Sequence, residues 1–158
     1  MALTQEQRTR EVERWGDMVY RLALARTASV PDAEDVFQEV VLRYFRHEEK
    51  FQSDEHRKAW LIRCTVNRAK SIMASPWKTR TVPLETAAEA GVEDDSREVY
   101  GAVLALPGKY RTVIHLHYFE GLSVLEIARM LQVAEGTVKS QLSRGRALLR
   151  EMLKEVEL

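Results

Sequence analysis

The sequence has few of the residues on which disulfide, metal and membrane chemistry depend. One cysteine, Cys64, excludes an internal disulfide, and the four histidines form no cluster of metal-ligand spacing. The longest stretches without charge are about ten residues, far short of the ~20 apolar residues that a membrane span needs. Charged residues follow the amino terminus before any apolar run develops, which argues against a secretion signal. We therefore expect a cytoplasmic protein without a metal or cofactor.

Glycine and proline are also scarce, and the alternating apolar and polar runs typical of strands are missing. Apolar residues recur instead at spacings of three and four, which predicts an all-α protein. The first predicted helix runs from Gln5 to Arg26 with Thr4 as its N-cap, and the second begins at Pro31 and Asp32. Two nearly continuous helical stretches are predicted from Arg57 to Cys64 and from Asn67 to Ala74. Two more helices are predicted from Arg97 to Ala105 and from Gly108 to Phe119.

Net charge is absent as well, since 24 acidic residues balance 24 basic ones, but the charges are segregated along the chain. From Arg57 to Arg80 there are seven Lys or Arg and no acid, and from Lys139 to Arg150 there are four and none. Acidic residues dominate between Asp32 and Glu49 and between Glu85 and Glu98. This pattern predicts two cationic surfaces and at least one anionic surface.

A break in the helical pattern divides the chain. The stretch from Thr81 to Ser96 contains Pro83 and is poor in large apolar residues, so it predicts a flexible linker. The expected organisation is two small helical domains, 1–80 and 97–158, joined by the linker 81–96.

The carboxyl-terminal part has the pattern of a helix-turn-helix DNA-binding unit between Ser123 and Arg150. Ser123 and Glu126 have the spacing of a capping box, which starts a helix at Val124, and the turn falls at Gln132 to Glu135. The last helix, from Gly136, carries polar side chains suited to base edges and phosphates. These candidate DNA contacts are Thr137, Lys139, Ser140, Gln141, Ser143, Arg144 and Arg146. The alternative is a basic helix that is merely solvated.

Further motifs extend over most of the chain, from about Val19 to Leu153. They are the segment from Asp32 to Glu39, Trp60-Leu61, Asn67, Leu106-Pro107, Gly121-Leu-Ser123, and the segment from Gly136 to Ser140. In this order they resemble regions two and four of bacterial sigma factors, in the compact layout of the extracytoplasmic-function (ECF) subfamily. The region-two resemblance implies a helical bundle, and the region-four resemblance implies the helix-turn-helix.

The resemblance implies specific partners for each half. Region two would bind the clamp helices of RNA polymerase through Asp35, Gln38 and Glu39, and the melted minus-ten strand through Arg63, Asn67, Arg68 and Lys70. Region four would read the minus-thirty-five element, and an anti-sigma factor is expected as a regulator. The alternatives are that the acidic residues serve solubility and that Asn67 caps the following helix. Trp60, Leu61 and Cys64 are expected to pack in the core.

Some residues depart from the family pattern. Gln132 stands where such turns often have glycine, Ala134 where serine commonly caps the recognition helix, and Gln141 where arginine is common. Gly145 interrupts the recognition helix at a cost of up to about 1 kcal/mol. These departures leave the fold intact and change the side chains available to read the minus-thirty-five element.

Two alternative functions make different demands on the sequence. A dimeric helix-turn-helix regulator that is not a polymerase subunit would need a palindromic site and a dimer interface. An enzyme would need a nucleophile or carboxylate pair near His115 and His117, and the sequence has neither at motif spacing. We therefore expect both histidines to be ordinary core or surface residues.

Overall fold

The computed structural model describes residues 4–47, 51–74 and 97–156, which form seven α-helices and contain no strand. The predicted linker, 81–96, lies outside the described residues. The helices are α1 (Gln5–Thr27), α2 (Val30–Arg46), α3 (Asp54–Met73), α4 (Arg97–Leu104), α5 (Gly108–Ile114), which continues as a π-helical turn over His115–Phe119, α6 (Val124–Leu131) and α7 (Glu135–Val156). Among the described helices, none is both long and apolar enough to cross a membrane.

Side-chain caps fix where the first helices begin. The backbone N–H of Gln7 donates to Thr4 Oγ1 at 3.1 Å, and the N–H of Thr4 donates to Gln7 Oε1 at 2.8 Å. This reciprocal pair is a capping box, and it confirms Thr4 as the N-cap of α1. Ser29 caps α2 by accepting a hydrogen bond from the N–H of Asp32, with Pro31 in the first turn, where its missing N–H costs no hydrogen bond.

The prediction of separate helices over Arg57 to Cys64 and Asn67 to Ala74 is wrong, because α3 is continuous. Ser53 caps it by accepting a hydrogen bond from the N–H of His56 at 3.0 Å, so it begins before Arg57. Thr65 lies where the break was expected, and its buried hydroxyl donates to Leu61 O at 2.7 Å within the helix. Asn67 is therefore inside a helix, which excludes the alternative that it caps one.

The two halves of the chain pack against each other. Buried apolar residues of α1 to α3 and of α4 to α7 belong to one hydrophobic cluster. Helix α1 contacts α4, α5 and the π-helical turn, and α3 contacts α6. The buried Arg111 of α5 donates to the backbone carbonyls of Leu104 in α4 and of Arg26 in α1. The bond to Arg26 ties the second half to the end of α1.

A buried polar cluster also joins the halves. Arg21 of α1 donates two hydrogen bonds to the Glu120 carboxylate, at 3.0 and 3.1 Å, and His115 Nε2 lies 2.9 Å from Glu120 Oε2. The Glu120 side chain is only 6% exposed and that of His115 only 1%. Burial alone would raise the pKa of Glu120, but the hydrogen bonds from His115 and Arg21 outweigh it and lower this pKa to about 2. The carboxylate is therefore ionised and paired inside the protein.

Candidate nucleic-acid interface

The helix-turn-helix begins at a well-defined cap. Ser123 Oγ accepts from the N–H of Glu126 at 3.1 Å, and Glu126 Oε1 accepts from the N–H of Ser123 at 3.0 Å. Hydrogen bonding of the Glu126 carboxylate to Ser123, first to its backbone N–H and then to its side chain, lowers the pKa of the Glu126 carboxyl. The predicted capping box is thus confirmed.

The turn between α6 and α7 depends on one left-handed residue. Gln132 has φ 59° and ψ 46°, the conformation that glycine adopts without strain, which explains why glycine is common here. Helix α7 begins at Glu135, one residue earlier than predicted. The carbonyl of Ala134 accepts from the N–H groups of Thr137 and Val138, but an alanine side chain offers no capping oxygen.

Helix α7 has one face that packs against the core and one face that is exposed. Val138 and Leu142 are buried in the core. The seven predicted DNA contacts all lie away from that core, since Gln141 is partly exposed and the other six are exposed. One of them has a partner within the protein, because Arg146 Nη1 donates to the hydroxyl of Tyr118 at 2.9 Å.

Gly145 has a packing role that the sequence did not reveal. It is buried on the side of α7 that faces α5, and a Cβ at this position would lie 3.0 Å from Ile114 Cγ1 and 3.4 Å from Tyr110 Cβ. Glycine therefore lets α5 and α7 approach closely. The helix-propensity cost of Gly145 is offset by this contact.

The second group of predicted DNA contacts lies on α3. Arg63, Asn67 and Lys70 are spaced by four and three residues, so they occupy one face of the helix. Asn67 and Lys70 are exposed and Arg63 is partly exposed, while Leu61, Thr65 and Ala69 are buried on another side. The structure thus brings three of the four predicted residues onto one accessible face.

The fourth, Arg68, points toward α2. It forms an ion pair with Glu39, which also accepts from Arg43 at 3.1 Å. The predicted polymerase contact and the predicted DNA contact are therefore partners of each other. Asp35 and Gln38 remain exposed on α2.

Trp60 belongs to an aromatic cluster rather than to the fully buried core. Its ring stacks on His47, with centroids 4.9 Å apart, and lies near Tyr44 and Phe51, at 6.1 and 5.9 Å. Trp60 is partly buried and packed against the core, and so is Cys64, whereas Leu61 is fully buried. Burial raises the pKa of the Cys64 thiol.

Comparisons with known proteins agree with this geometry. Residues 12–79 match the family model for Sigma-70 region 2, and residues 96–149 match that for Sigma-70 region 4. The sigma factor SigW of Bacillus subtilis, an ECF RNA polymerase sigma factor, is 29% identical over 92% of this chain and 88% of its own. SigL of Mycobacterium tuberculosis, also an ECF RNA polymerase sigma factor, is 32% identical over 88% of this chain and 84% of its own.

The chain belongs to the ECF sigma factors. It is a transcription initiation factor that binds core RNA polymerase and directs it to promoters. The fold agrees with that of the sigma factor RpoE in its complex with the anti-sigma factor NepR from Bartonella quintana. That structure superposes with a TM-score of 0.72 at 23% identity, and the match covers 92% of this chain and 96% of that one.

The sequence did not predict the polar cluster of Arg21, His115 and Glu120. Arg21 and Glu120 are 99 positions apart, and neither lies in a recognisable motif. The sigma-factor fold leaves both histidines with structural contacts: His115 to Glu120, and His117 Nδ1 to Leu122 O at 2.8 Å.

Proposed function

We propose that the two halves of this sigma factor, 1–80 and 97–158, divide promoter recognition between them. The first would contact polymerase and the minus-ten strand, and the second would read the minus-thirty-five element as duplex. The observation that carries this proposal is the presence of two separate accessible faces, one on α3 and one on α7, each with cations and hydrogen-bonding side chains. The family matches at 12–79 and 96–149 support the boundaries.

The α3 face suits a single strand. Arg63 and Lys70 flank Asn67, whose amide offers both a donor and an acceptor for the edge of an unpaired base. The cations would follow the phosphates of the melted strand. Arg68 would take part only after exchanging its carboxylate partner, Glu39, for a phosphate.

The α7 face suits a major groove. Thr137, Ser140 and Gln141 provide hydroxyl and amide groups for base edges, and Arg144 can bond a guanine with two hydrogen bonds. Each face alone makes few phosphate contacts, so it would bind DNA weakly, on the order of 10⁻⁴ to 10⁻⁶ M. Docking on polymerase fixes both faces together, and the second contact then forms at high effective concentration.

The linker lets the two halves lie apart, and the lengths of the two helical halves add to the distance that it can span. Residues 81–96 can span at most about 55 Å at ~3.5 Å per residue, which exceeds one DNA turn of ~34 Å.

We place the protein in the cytoplasm, where its polymerase and DNA lie, and assign it no catalytic activity of its own. An anti-sigma factor is proposed as its regulator because the solved relatives RpoE and CnrH were each determined with a partner, NepR and the cytosolic domain of CnrY.

Family membership favours this function over a dimeric helix-turn-helix regulator. Runoff transcription with core polymerase on a genomic library, followed by mapping of start sites, tests it and yields the cognate promoter. Co-elution with core polymerase in gel filtration is expected. A stable dimer that does not co-elute and binds a palindromic site would contradict the proposal.

Residue roles are tested by separating polymerase binding from promoter use. Asn67→Ala and Arg144→Ala should each lower transcription from the mapped promoter at least tenfold, the loss of about 1.4 kcal/mol or more expected for a base contact. Neither should weaken binding to core polymerase.

Asp35→Lys should have the opposite effect to Asn67→Ala and Arg144→Ala. It reverses a charge on the exposed side of α2 and should therefore weaken polymerase binding. Glu39→Lys would be a less specific test, since it also removes the partner of Arg68 and Arg43. Normal polymerase affinity of Asp35→Lys, or its loss in Asn67→Ala, would contradict the assigned roles.

A further inference from the structure

A groove runs beside the recognition helix and includes residues from a second helix. It lies between the start of α5 and the exposed face of α7. Its lining contains two cations, three hydroxyl or amide side chains outside the tyrosine, and no carboxylate: Lys109, Tyr110, Gly136, Thr137, Ser140, Gln141 and Arg144. The groove therefore has the chemistry of an anion-binding surface. Four of the predicted DNA contacts form one wall of it, and Lys109 lies on the other.

The close approach of α5 to α7 explains why Lys109 is there. Tyr110 Cβ and Ile114 pack over Gly145, where a Cβ on α7 would press against Ile114. Lys109, the residue before Tyr110, is exposed, and its ammonium lies 5.1 Å from the centre of the Tyr110 ring. This cation–π contact keeps the lysine stem beside the groove. Its charge is thus presented next to the face that carries Arg144.

The other side of Lys109 does not neutralise it. There it lines a second groove with Arg26, Lys70 and the short backbone segment Pro107-Gly108, and this lining also contains no carboxylate. Among the described residues that line these two grooves, every charged side chain is a cation. No carboxylate of either lining neutralises Lys109, and the cation of its own half, Arg144, remains beside it when the two halves separate, so the site favours an anionic ligand.

We propose that Lys109 contacts a backbone phosphate of the duplex read by α7, and so extends the interface beyond the recognition helix. This inference rests on the proposed function of the second half. A phosphate is favoured over a base because Lys109 lies on α5, outside the recognition helix, and because the lysine ammonium is a point charge suited to phosphate oxygens. Lys109 would position α7 on the duplex and carry no sequence information.

The test uses holoenzyme assembled from core polymerase and the full chain, on a duplex fragment of the mapped promoter. Binding is measured by fluorescence anisotropy between 0.1 and 1 M salt for wild type, Lys109→Ala and Lys109→Arg. Loss of one phosphate contact should reduce the slope of log K against log salt by about 0.9. Affinity should then fall about eightfold at 0.1 M salt and converge with wild type near 1 M. Lys109→Arg should retain the wild-type slope.

Lys154→Ala is the matched control, since Lys154 is an exposed lysine on α7 outside both grooves and pairs with Glu151. It should leave both slope and affinity unchanged. An unchanged slope in Lys109→Ala, an equal loss in Lys154→Ala, or an altered base preference in Lys109→Ala would each overturn the proposal. Absence of any promoter complex with wild-type holoenzyme would instead contradict the proposed function itself, so the two failures are distinguishable.

Discussion

At the scale of single residues, Glu120 is notable because its ionised carboxylate is almost completely buried. A buried carboxylate is stable only when it is paired and hydrogen-bonded, and Glu120 has Arg21 on one side and His115 on the other. The low pKa of about 2 means that folding favours the ionised form. Because the folded pKa lies below the ordinary value of 4.5, the stabilisation is present above that value and is lost as pH falls toward 2.

Replacing this carboxylate should therefore change the acid stability of the protein. Glu120→Gln is expected to lower the free energy of unfolding at pH 7 by about 3 kcal/mol, the equivalent of the change in pKa. The difference from wild type should shrink as pH falls from 5 to 2. Urea denaturation across this range measures both effects. Glu151→Gln, at an exposed carboxyl, should show no such pH-dependent difference, and an equally large one there would refute the assignment.

At the scale of the helix, replacing Gly145 with alanine has two opposing effects on the free energy of unfolding. Alanine is the better helix former by up to about 1 kcal/mol. Its Cβ, however, would press on Ile114, which is 1% exposed and surrounded by core residues that limit its movement. Overpacking a core typically costs about 1–3 kcal/mol, so the steric effect should dominate.

We expect Gly145→Ala to lower the free energy of unfolding by about 1 kcal/mol. Gly136→Ala, in the same helix, is the matched control because nothing lies within 4 Å of the added Cβ. That variant should be neutral or more stable by up to about 1 kcal/mol. Chemical denaturation of both variants gives the comparison. Stabilisation by Gly145→Ala would show that Ile114 can move aside and that glycine is not required there.

At the scale of the whole molecule, the packed arrangement and the proposed promoter contacts require different distances between the faces of α3 and α7. Lys70 and Lys109 line one groove, and Lys109 and Arg144 line the next, so the faces of α3 and α7 are near neighbours. Promoter boxes about 25 base pairs apart are separated by roughly 85 Å at 3.4 Å per pair. The proposed promoter contacts therefore require the two halves to separate when both boxes are bound.

The contact between Arg21 and Glu120 should resist this separation. Arg21→Ala removes the partner that the first half supplies and leaves the nearly buried Glu120 carboxylate with His115 alone, so the packed arrangement loses a charged contact between the halves. The free variant should have a larger radius of gyration in solution X-ray scattering than the roughly 15 Å expected for a compact chain of this length. Arg10→Ala, at an exposed position of the same helix, should leave it unchanged. A compact Arg21→Ala variant would show that apolar packing alone holds the halves together.

The sequence by itself determined the features that depend on neighbours within a few positions. The capping boxes at Thr4 and Ser123, the all-helical class and the outward face of α7 all follow from hydrogen bonds and periodicity over three or four residues. Sequence motifs in family order also identified both sigma regions. These features can be read from the sequence because they depend on interactions within each segment and not on how the segments pack together.

Only the tertiary structure decided which distant residues meet. It made α3 continuous, paired Arg68 with Glu39, gave Gly145 a packing role, and buried Glu120 between Arg21 and His115. Each of these depends on how separate helices pack, and helix packing is set by the combined shape of many side chains rather than by any local pattern. For this reason the exposed polar residues of α7 could be predicted singly, whereas the groove that adds Lys109 to them could not.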